Sequence, residues 1–376
     1  MAGSDLLVVA GEASGDLHGA RLLAELRRLA PDVRAFGLGG HELHEAGMEL
    51  VARSEEISVV GLAEVIRVLP RARQIFRLLL AEVERRGAAA ALLIDFPDFN
   101  LRLARELERR GVRVVYYISP QVWAWRKGRV KEIARVVDRM LVLFPFEVDF
   151  YRRHGVEAVH VGHPLVDEVP ARPQAWDRDT GGPRRLALLP GSRASEVRAL
   201  LPPMLASLPR MAAARPIECR VIVAPPVRAL VAELAAASAV PVSLVTERRF
   251  DAIADSHLAL CASGTATLEV GLLGTPMIVL YRLHAWTYRL AKLLVDLPYF
   301  SLVNLVLGRR VVPELLQSEV SAEGISRRAL ELLDALAAIA EMRAGLAELR
   351  HALGEGGGSA RAARELQPFL GARATA

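Results

Sequence analysis

Cysteine, lysine and metal-ligand spacings are all scarce in this chain, and each scarcity closes off a class of protein. The two cysteines, Cys219 and Cys261, each sit inside an apolar run with no zinc spacing and no disulfide framework, which fits a reducing compartment. Lysine occurs only at 127, 131 and 292, so the formal charge of +5 is carried by arginine. Basic surface attracts phosphate, nucleic acid and anionic lipid alike, and charge alone does not choose among them. No uninterrupted apolar stretch reaches the length of a membrane span. No basic region with an apolar core precedes the first strand, so no secretory signal is expected. His41-Glu-Leu-His44 has no evident third ligand and reads as surface helix. Asp177-Arg-Asp179 matches an Asp-x-Asp metal site only superficially, because it falls in a breaker-rich linker with no strand before it.

What is plentiful is apolar sequence: 52% of 376 residues, ample for two buried sheets in a chain too long for one ordinary core. Leu6–Ala10 is a continuous apolar run of the buried parallel-strand kind. It breaks at Gly11-Glu-Ala-Ser-Gly-Asp16 before the helical Leu17–Leu29. With glycines at 11, 15 and 19 and no lysine after Gly15, this loop is neither a Walker loop nor a GxGxxG fingerprint. Strands follow at Arg34–Leu38, Ala88–Asp95, Val112–Ile118, Met140–Phe144 and Ala158–Val161, with helices between them. The alternation restarts at Leu186–Leu189 and continues through Cys219–Ala224, Val242–Thr246, His257–Ala262 and Met277–Tyr281. The expected fold is therefore α/β, with two Rossmann-like doubly wound parallel sheets whose ligands sit beyond the carboxyl ends of the strands. The expected boundaries are a first domain over 1–165, a linker over 166–184, a second domain over 185–345, and a helical tail over 346–376 that packs back on a domain.

In the second domain, His257–Glu269 reads as strand, tight loop and helix. Such a loop aims the unpaired N–H groups of the helix start, beside the Ser263 and Thr265 hydroxyls, at a phosphate. Gly264 allows close approach, and Glu269 lies one turn on, where a carboxylate can take a ribose diol. Simple capping leaves Glu269 unexplained, because the capping-box positions are Ala266 and Leu268. Gly191, Ser192 and Arg193 put a fork-shaped cation at another helix start, suited to a pyrophosphate. In the first domain, the segment 59–86 carries Leu62, Val65, Ile66 and Leu69, then Ile75, Leu78 and Leu79, with Pro70 between and Arg67, Arg71, Arg73 and Arg77 interleaved. That pattern fits either a pair of core helices or a helix lying at a membrane surface.

Two such domains facing each other across a cleft, with the nucleotide loop in the C-terminal one, describe the GT-B layout. Gly11-Glu-x-Ser-Gly-Asp16, Asp95-x-Pro-Asp-Phe-Asn100, Ser119-Pro-x-Val-Trp-Ala-Trp125, Gly162-His-Pro164, Leu189-Pro-Gly-Ser-Arg193 and Ser263-Gly-Thr-x-x-Leu-Glu269, in that order, resemble the lipid-A-disaccharide synthases. The resemblance runs from near residue 5 to about Gln317 and departs at Val303, where many members have proline. It implies an inverting transferase that joins UDP-2,3-diacylglucosamine to 2,3-diacylglucosamine 1-phosphate. The products are UDP and a β-1,6-linked disaccharide. It further implies no cofactor, no metal and no nucleic acid. The expected location is cytoplasmic and peripheral on the anionic inner membrane, with the oligomeric state open.

Inversion needs a base for the acceptor hydroxyl and stabilisation of the departing UDP. Asp98 is the candidate base, although an Asp after Pro97 is also a good helix cap; Asp95 is the reserve. Glu12, Ser14 and Asn100 are expected to shape the acceptor side. Ser192, Arg193, Ser263 and Thr265 would hold the UDP phosphates, Glu269 the ribose, and Asn304, Glu314 and Gln317 would complete the donor pocket. His163 reads as structural, and Trp123 and Trp125 as either core or part of a sugar or acyl pocket. Two rivals stand beside this reading. A UDP-N-acetylglucosamine 2-epimerase would share the fold and donor site, and a non-catalytic nucleotide-sugar or lipid binder would keep the pocket without needing Asp98.

Overall fold

The computed structural model describes residues 4–57, 62–120, 122, 127–171, 182–282 and 298–371, with backbone alone at 62–67 and 127. The chain divides into two units, one formed by Met1–Pro164 with Gly356–Ala376 and the other by Leu165–Glu355. The first runs β1 (Asp5–Ala10), α1 (Ala13–Leu29), β2 (Arg34–Gly39), α2 (His41–Glu45), β3 (Glu49–Arg53), α3 (Leu62–Arg86), β4 (Ala90–Ile94), α4 (Pro97–Arg109), β5 (Arg113–Tyr117), α5 (Val130–Val136), β6 (Arg139–Val142), α6 (Pro145–Arg152) and β7 (Ala158–His160). Its strands lie in the order β3-β2-β1-β4-β5-β6-β7. All pair in parallel.

The second unit repeats the plan with α7 (Leu165–Glu168), β8 (Arg184–Leu189), α8 (Ala194–Ala214), β9 (Ile217–Ile222), α9 (Arg228–Ala236), β10 (Val242–Val245), α10 (Arg249–Ala254), β11 (Leu258–Ala262), α11 (Thr265–Leu272), β12 (Met277–Tyr281), α12 (Leu302–Leu307), β13 (Glu314–Leu316), α13 (Ala322–Asp334) and α14 (Leu336–Ala352). Its order, β10-β9-β8-β11-β12-β13, is the same winding, again with every pair parallel. The central strands are buried from end to end, Leu6–Ala10 and Leu258–Cys261 at 0% exposure. That is why they read as unbroken apolar runs: helices cover both faces of each sheet.

The boundaries differ from the sequence expectation at two points. The expected linker 166–184 opens inside α7, and residues 172–181, with Asp177 and Asp179, lie outside the described residues. The tail crosses back later than expected, because α14 completes the second unit and α15 (Gly358–Leu366) packs on α1 in the first. Arg113 fastens that tail by donating to the carbonyls of Phe369 and Gly371, and Arg139 pairs with Glu365.

In α3 the two apolar runs form one helix with Pro70 inside it. Ile75, Leu79, Leu80 and Val83 enter the core. Leu69 and Leu78 stay on the outside at 38% and 40% exposure. The side chains of Leu62, Val65, Ile66 and Arg67 lie outside the described residues. Arg71, expected to face a membrane, instead binds the Glu56 carboxylate at 2.5 Å, so it ties α3 to the turn before it.

The sheet of the first unit depends on one close approach. Gly37, with φ 147°, lies against β1, and a Cβ there would meet the Val8 carbonyl oxygen at 2.1 Å. Backbone cannot swing aside as a side chain can. Gly37→Ala should therefore cost about 1–3 kcal/mol and lower Tm by roughly 3–10 °C, whereas Gly128→Ala, which meets nothing within 4 Å, should melt with the parent. Coincident melting of all three proteins would show that β1 and β2 are not seated this closely.

Candidate active site

In each sheet the strand order reverses beside the first strand, and parallel register brings two loops together there. Ala10 pairs with Ile94, so the chains leaving β1 at Gly11 and β4 at Asp95 start as neighbours about 5 Å apart. In the second unit Leu189 pairs with Cys261, which sets Pro190-Gly-Ser-Arg193 beside Ser263-Gly-Thr265. Ligands of open α/β sheets bind in this crevice. Four of the six motifs that the sequence singled out thus occupy the two reversal points.

At the first point, Asp95 and Phe96 both adopt left-handed backbone, φ 44° and 49°, a conformation that costs non-glycine residues about 1–3 kcal/mol each. Asn100 offsets this. Wholly buried, it donates from Nδ2 to the carbonyls of Ile94 at 3.2 Å and Asp95 at 2.8 Å. The buried Tyr116 hydroxyl donates to the same Asp95 carbonyl. Asn100, expected to shape the acceptor side, turns inward and holds the loop.

Phe96 is also the N-cap of α4, with Pro97 in the first turn. Asp98 falls one residue further on and is not the cap. Its side chain is 72% exposed and takes Arg129 at 2.6 Å. Asp95 is half-buried, and its carboxyl is pushed up from 3.8 to about 6, chiefly by burial and then by the charge of Glu12. Glu12 and Ser14 are exposed at the start of α1, and Glu12 makes no capping bond. Asp16 of the same motif is buried and accepts from the N–H groups of Gly40, Glu42 and Leu43 at 2.6, 2.9 and 3.3 Å. It caps α2 from a distance.

Neighbouring exits are braced in the same manner. Ser119, after β5, donates to the buried Glu147 carboxylate at 2.6 Å, which also accepts from the Phe144 N–H at 3.1 Å. His163 is buried with its ring 5.3 Å from that of Phe144. Burial first, then His18 and His160, lower its pKa to about 3, so it is a neutral packing residue. Trp123 and Trp125 lie outside the described residues. Among the described residues, no group of three His, Cys, Asp or Glu side chains could hold a metal ion.

At the second point, no side chain caps α11: its N-cap is Gly264, φ 143°, with the exposed Thr265 next. The Thr267 N–H turns back to the Gly264 carbonyl at 3.0 Å, and the N–H groups of Thr265 and Ala266 take no side-chain cap. Ser263 donates its hydroxyl to the Phe300 carbonyl at 2.7 Å, and the Phe300 ring packs at a tilt against Tyr281, 5.4 Å between centroids. Glu269 is mostly buried and binds Arg249 at 3.2 Å. Its pKa is raised, because burial outweighs the pull of Arg249.

Arg193 is 80% exposed at the start of α8 and pairs with Glu196 at 2.9 Å. Asn304 is wholly buried and fully engaged. Its Oδ1 accepts from Val311 and Val312, and its Nδ2 donates to the Val312 carbonyl and to Glu314. Glu314 accepts from the N–H groups of Phe300 and Ser301 at 3.0 and 2.9 Å. These two were expected to complete the donor pocket; the structure shows them holding the Phe300 loop. Gln317, directly after β13, is another left-handed residue, φ 50°.

The family model described as lipid-A-disaccharide synthetase matches residues 6–361. The chain belongs to the lipid-A-disaccharide synthase family. A curated relative of that name from Anaeromyxobacter sp. (strain K) is 48% identical over 368 residues, 96% of each chain. Likeness to solved structures is confined to fold. The MurG structure from Acinetobacter baumannii gives a TM-score of 0.60 at 14% identity, covering 97% of this chain and 99% of the other. The UDP-GlcNAc 2-epimerase from Neisseria meningitidis gives 0.63 at 12%, covering 97% and 100%. The fold is thus that of the GT-B enzymes, and the epimerase rival retains the architecture alone. Sequence reasoning gave no role to Glu196, Arg249, Arg129 or Glu147, which pair with Arg193, Glu269, Asp98 and the motif residue Ser119. Only Glu196 had a usable signal, a glutamate three residues into a helix.

The raised Asp95 carboxyl has a stability consequence. With a folded pKa of about 6 against an ordinary 3.8, the folded state holds the proton more tightly than the unfolded one. Stability is therefore lost as pH rises from about 4 to about 6, by up to about 3 kcal/mol. Asp95→Asn should raise Tm at pH 8, and the gain should shrink as pH falls to 4.5. An equal or negative effect at both pH values would remove the buried charge from the account.

Proposed function

We propose that this chain transfers a 2,3-diacylglucosamine residue from its UDP donor to the 6-hydroxyl of 2,3-diacylglucosamine 1-phosphate, with inversion at the anomeric carbon. Membership of the synthase family already makes it a glycosyltransferase of lipid A biosynthesis, with a nucleotide-sugar donor and a sugar-phosphate acceptor. The observation that carries the finer reading is the division of chemistry between the reversal points. One gathers the carboxylates Glu12, Asp95 and Asp98. The other gathers Arg193, the open start of α11, and the Ser263 and Thr265 hydroxyls.

In the proposed step the acceptor oxygen bonds to the anomeric carbon from the face opposite UDP. The bond from that carbon to the UDP oxygen breaks, and its electron pair leaves with the diphosphate. Arg193 and the α11 N-terminus stabilise the growing negative charge, with Glu269 on the ribose. The acceptor proton passes to Asp98, whose carboxylate is exposed and therefore within reach of a substrate hydroxyl, with Arg129 fixing its direction. Asp95, half-buried beneath, is the less accessible carboxylate. Gly191 and Gly264 keep their loops low enough for phosphate to approach, and Gln317 lies at the edge of the donor side.

Both substrates carry acyl chains, so the enzyme must work at a lipid surface. No helix among the described residues is long and apolar enough to cross a membrane. The proposed contact is the outer face of α3, where Pro70, Arg73, Gln74, Arg77, Leu78 and Ala81 line a shallow groove of about 510 Å³, flanked by Leu69. Apolar burial plus cation attraction is the pattern of peripheral attachment, here at the cytoplasmic face of the inner membrane. Leu69→Ser with Leu78→Ser should leave Tm nearly unchanged, since both are exposed, and should weaken sedimentation with anionic vesicles. Arg73→Gln with Arg77→Gln should weaken it further, by about 1 kcal/mol per charge. Parent-like vesicle binding by all of these variants would relocate the membrane contact.

Asp98→Asn tests the base. It should lower kcat by about 10²–10⁴ and leave UDP binding unchanged. Because Phe96, not Asp98, is the cap, Tm should not move either. A folded Asp98→Asn enzyme with kcat within a few-fold of the parent would pass the role to Asp95 or Glu12.

A further inference from the structure

The donors proposed to hold the UDP phosphates are already in use. Glu196, in the first turn of α8, turns its carboxylate back over the Gly191–Arg193 loop. Its Oε2 accepts from the N–H groups of Ser192 at 3.2 Å and Arg193 at 3.4 Å, and its Oε1 accepts from the Arg193 guanidinium at 2.9 Å. Gly191 makes room for it, since a Cβ there would meet Glu196 Oε2 at 2.5 Å. The carboxylate also lies near Tyr281, whose phenol is pushed up by burial and by the charge of Glu196. Tyr281 packs against Phe300, and the Phe300 carbonyl takes the Ser263 hydroxyl. Glu196 therefore borders both phosphate loops of this unit.

A carboxylate offers two oxygens and a negative charge to two successive backbone N–H groups and an arginine fork, which is the recognition chemistry of a phosphate. One set of donors cannot serve both anions. A carboxylate left in place beside a bound diphosphate would also be repelled by it.

We propose that Glu196 is an internal competitor for the diphosphate: it occupies the Gly191–Arg193 cradle when the site is empty, is displaced by the nucleotide, and returns as UDP leaves. The proposal rests on the reading that this loop holds the UDP phosphates. It makes Glu196 a positioning residue that sets nucleotide affinity and hastens product release, a step that limits many transferases with closing sites.

A purely structural capping role predicts the opposite sign. If Glu196 only held the loop in shape, its loss would slacken the cradle and weaken binding. If it competes, its loss strengthens binding. Calorimetric titration of UDP, and separately of inorganic pyrophosphate, into the full-length parent, Glu196→Gln, Glu196→Ala and Arg193→Ala distinguishes these outcomes. The alanine change guards against a glutamine that keeps the old hydrogen bonds.

The expected result is UDP binding tighter by about 3–30-fold in both Glu196 variants, the worth of one charge-assisted hydrogen bond set against its water-exposed alternative. The same variants should show a lower KM for the donor, a stronger product inhibition by UDP, and a kcat that does not rise. Arg193→Ala should bind about tenfold or more weakly. Glu196 variants that bind UDP as the parent does, or more weakly, while Arg193→Ala is impaired, would overturn the competitor and leave the phosphate site standing. Parent-like binding in all three variants would overturn the phosphate reading as well.

Discussion

Parallel register is the constraint on which the rest depends. Because every strand in a sheet runs the same way, all carboxyl ends fall on one edge, and the single reversal of strand order opens that edge between two particular loops. The ladders Ala10/Ile94 and Leu189/Cys261 fix which loops those are. A slip of one residue would take Gly37 away from the Val8 carbonyl it must approach and would also separate Gly11 from Asp95. The apolar burial that holds the sheets together is therefore the same interaction that aligns the chemistry. The glycines at 11, 15 and 19 serve that alignment. Gly15 and Gly19 let α1 lie close to β4, where a Cβ on Gly19 would meet Ile94 at 2.7 Å, and Gly11 lets the first loop pass the Phe96 ring, which a Cβ there would meet at 2.4 Å.

The site is built against local preference. Left-handed backbone at Asp95, Ile118 and Gln317 falls directly after a strand and continues at Phe96, and Asp95 adds a carboxyl that burial disfavours as an anion. Buried polar side chains offset these costs. Asn100 and Tyr116 saturate the Asp95 carbonyl, Asn304 and Glu314 fix the Phe300 loop, and Asp16 closes the turn after β2. Motif residues thus fall into two kinds. Some are exposed and able to touch substrate, such as Glu12, Asp98, Arg193 and Thr265. Others are buried and hold those in place. Substituting the second kind should look like loss of activity, although no substrate atom is lost.

Legibility from sequence followed the same division. Strands buried on both faces wrote themselves as apolar runs and were located to within a residue or two. The edge strands β3 and β13 were not found, because Glu49–Arg53 and Glu314–Leu316 are short, half-exposed and begin with glutamate. The helix-cap reading of Asp98 failed because a left-handed turn at Phe96 starts α4 earlier than composition suggests. Asn100, Asn304 and Glu314 were expected to face substrate, but burial is not written in a motif, so their holding role was not visible. Glu196 was passed over for a related reason: a glutamate three residues into a helix reads as ordinary capping until its bonds to the Ser192 and Arg193 donors are seen. The α3 segment is one helix rather than two, with Ile75 and Leu79 inside and Leu69 and Leu78 outside.

The most direct test of the central claim, one reversal point for the acceptor and one for UDP, is product analysis with the purified chain. The protein would be incubated with UDP-2,3-diacylglucosamine in EDTA, with and without 2,3-diacylglucosamine 1-phosphate, and in parallel with undecorated UDP-N-acetylglucosamine. The account predicts acceptor-dependent release of UDP, one equivalent of a disaccharide 1-phosphate whose new linkage is β-1,6, and no epimerised nucleotide sugar. Binding without turnover, an α linkage, or epimerisation of UDP-N-acetylglucosamine would contradict it.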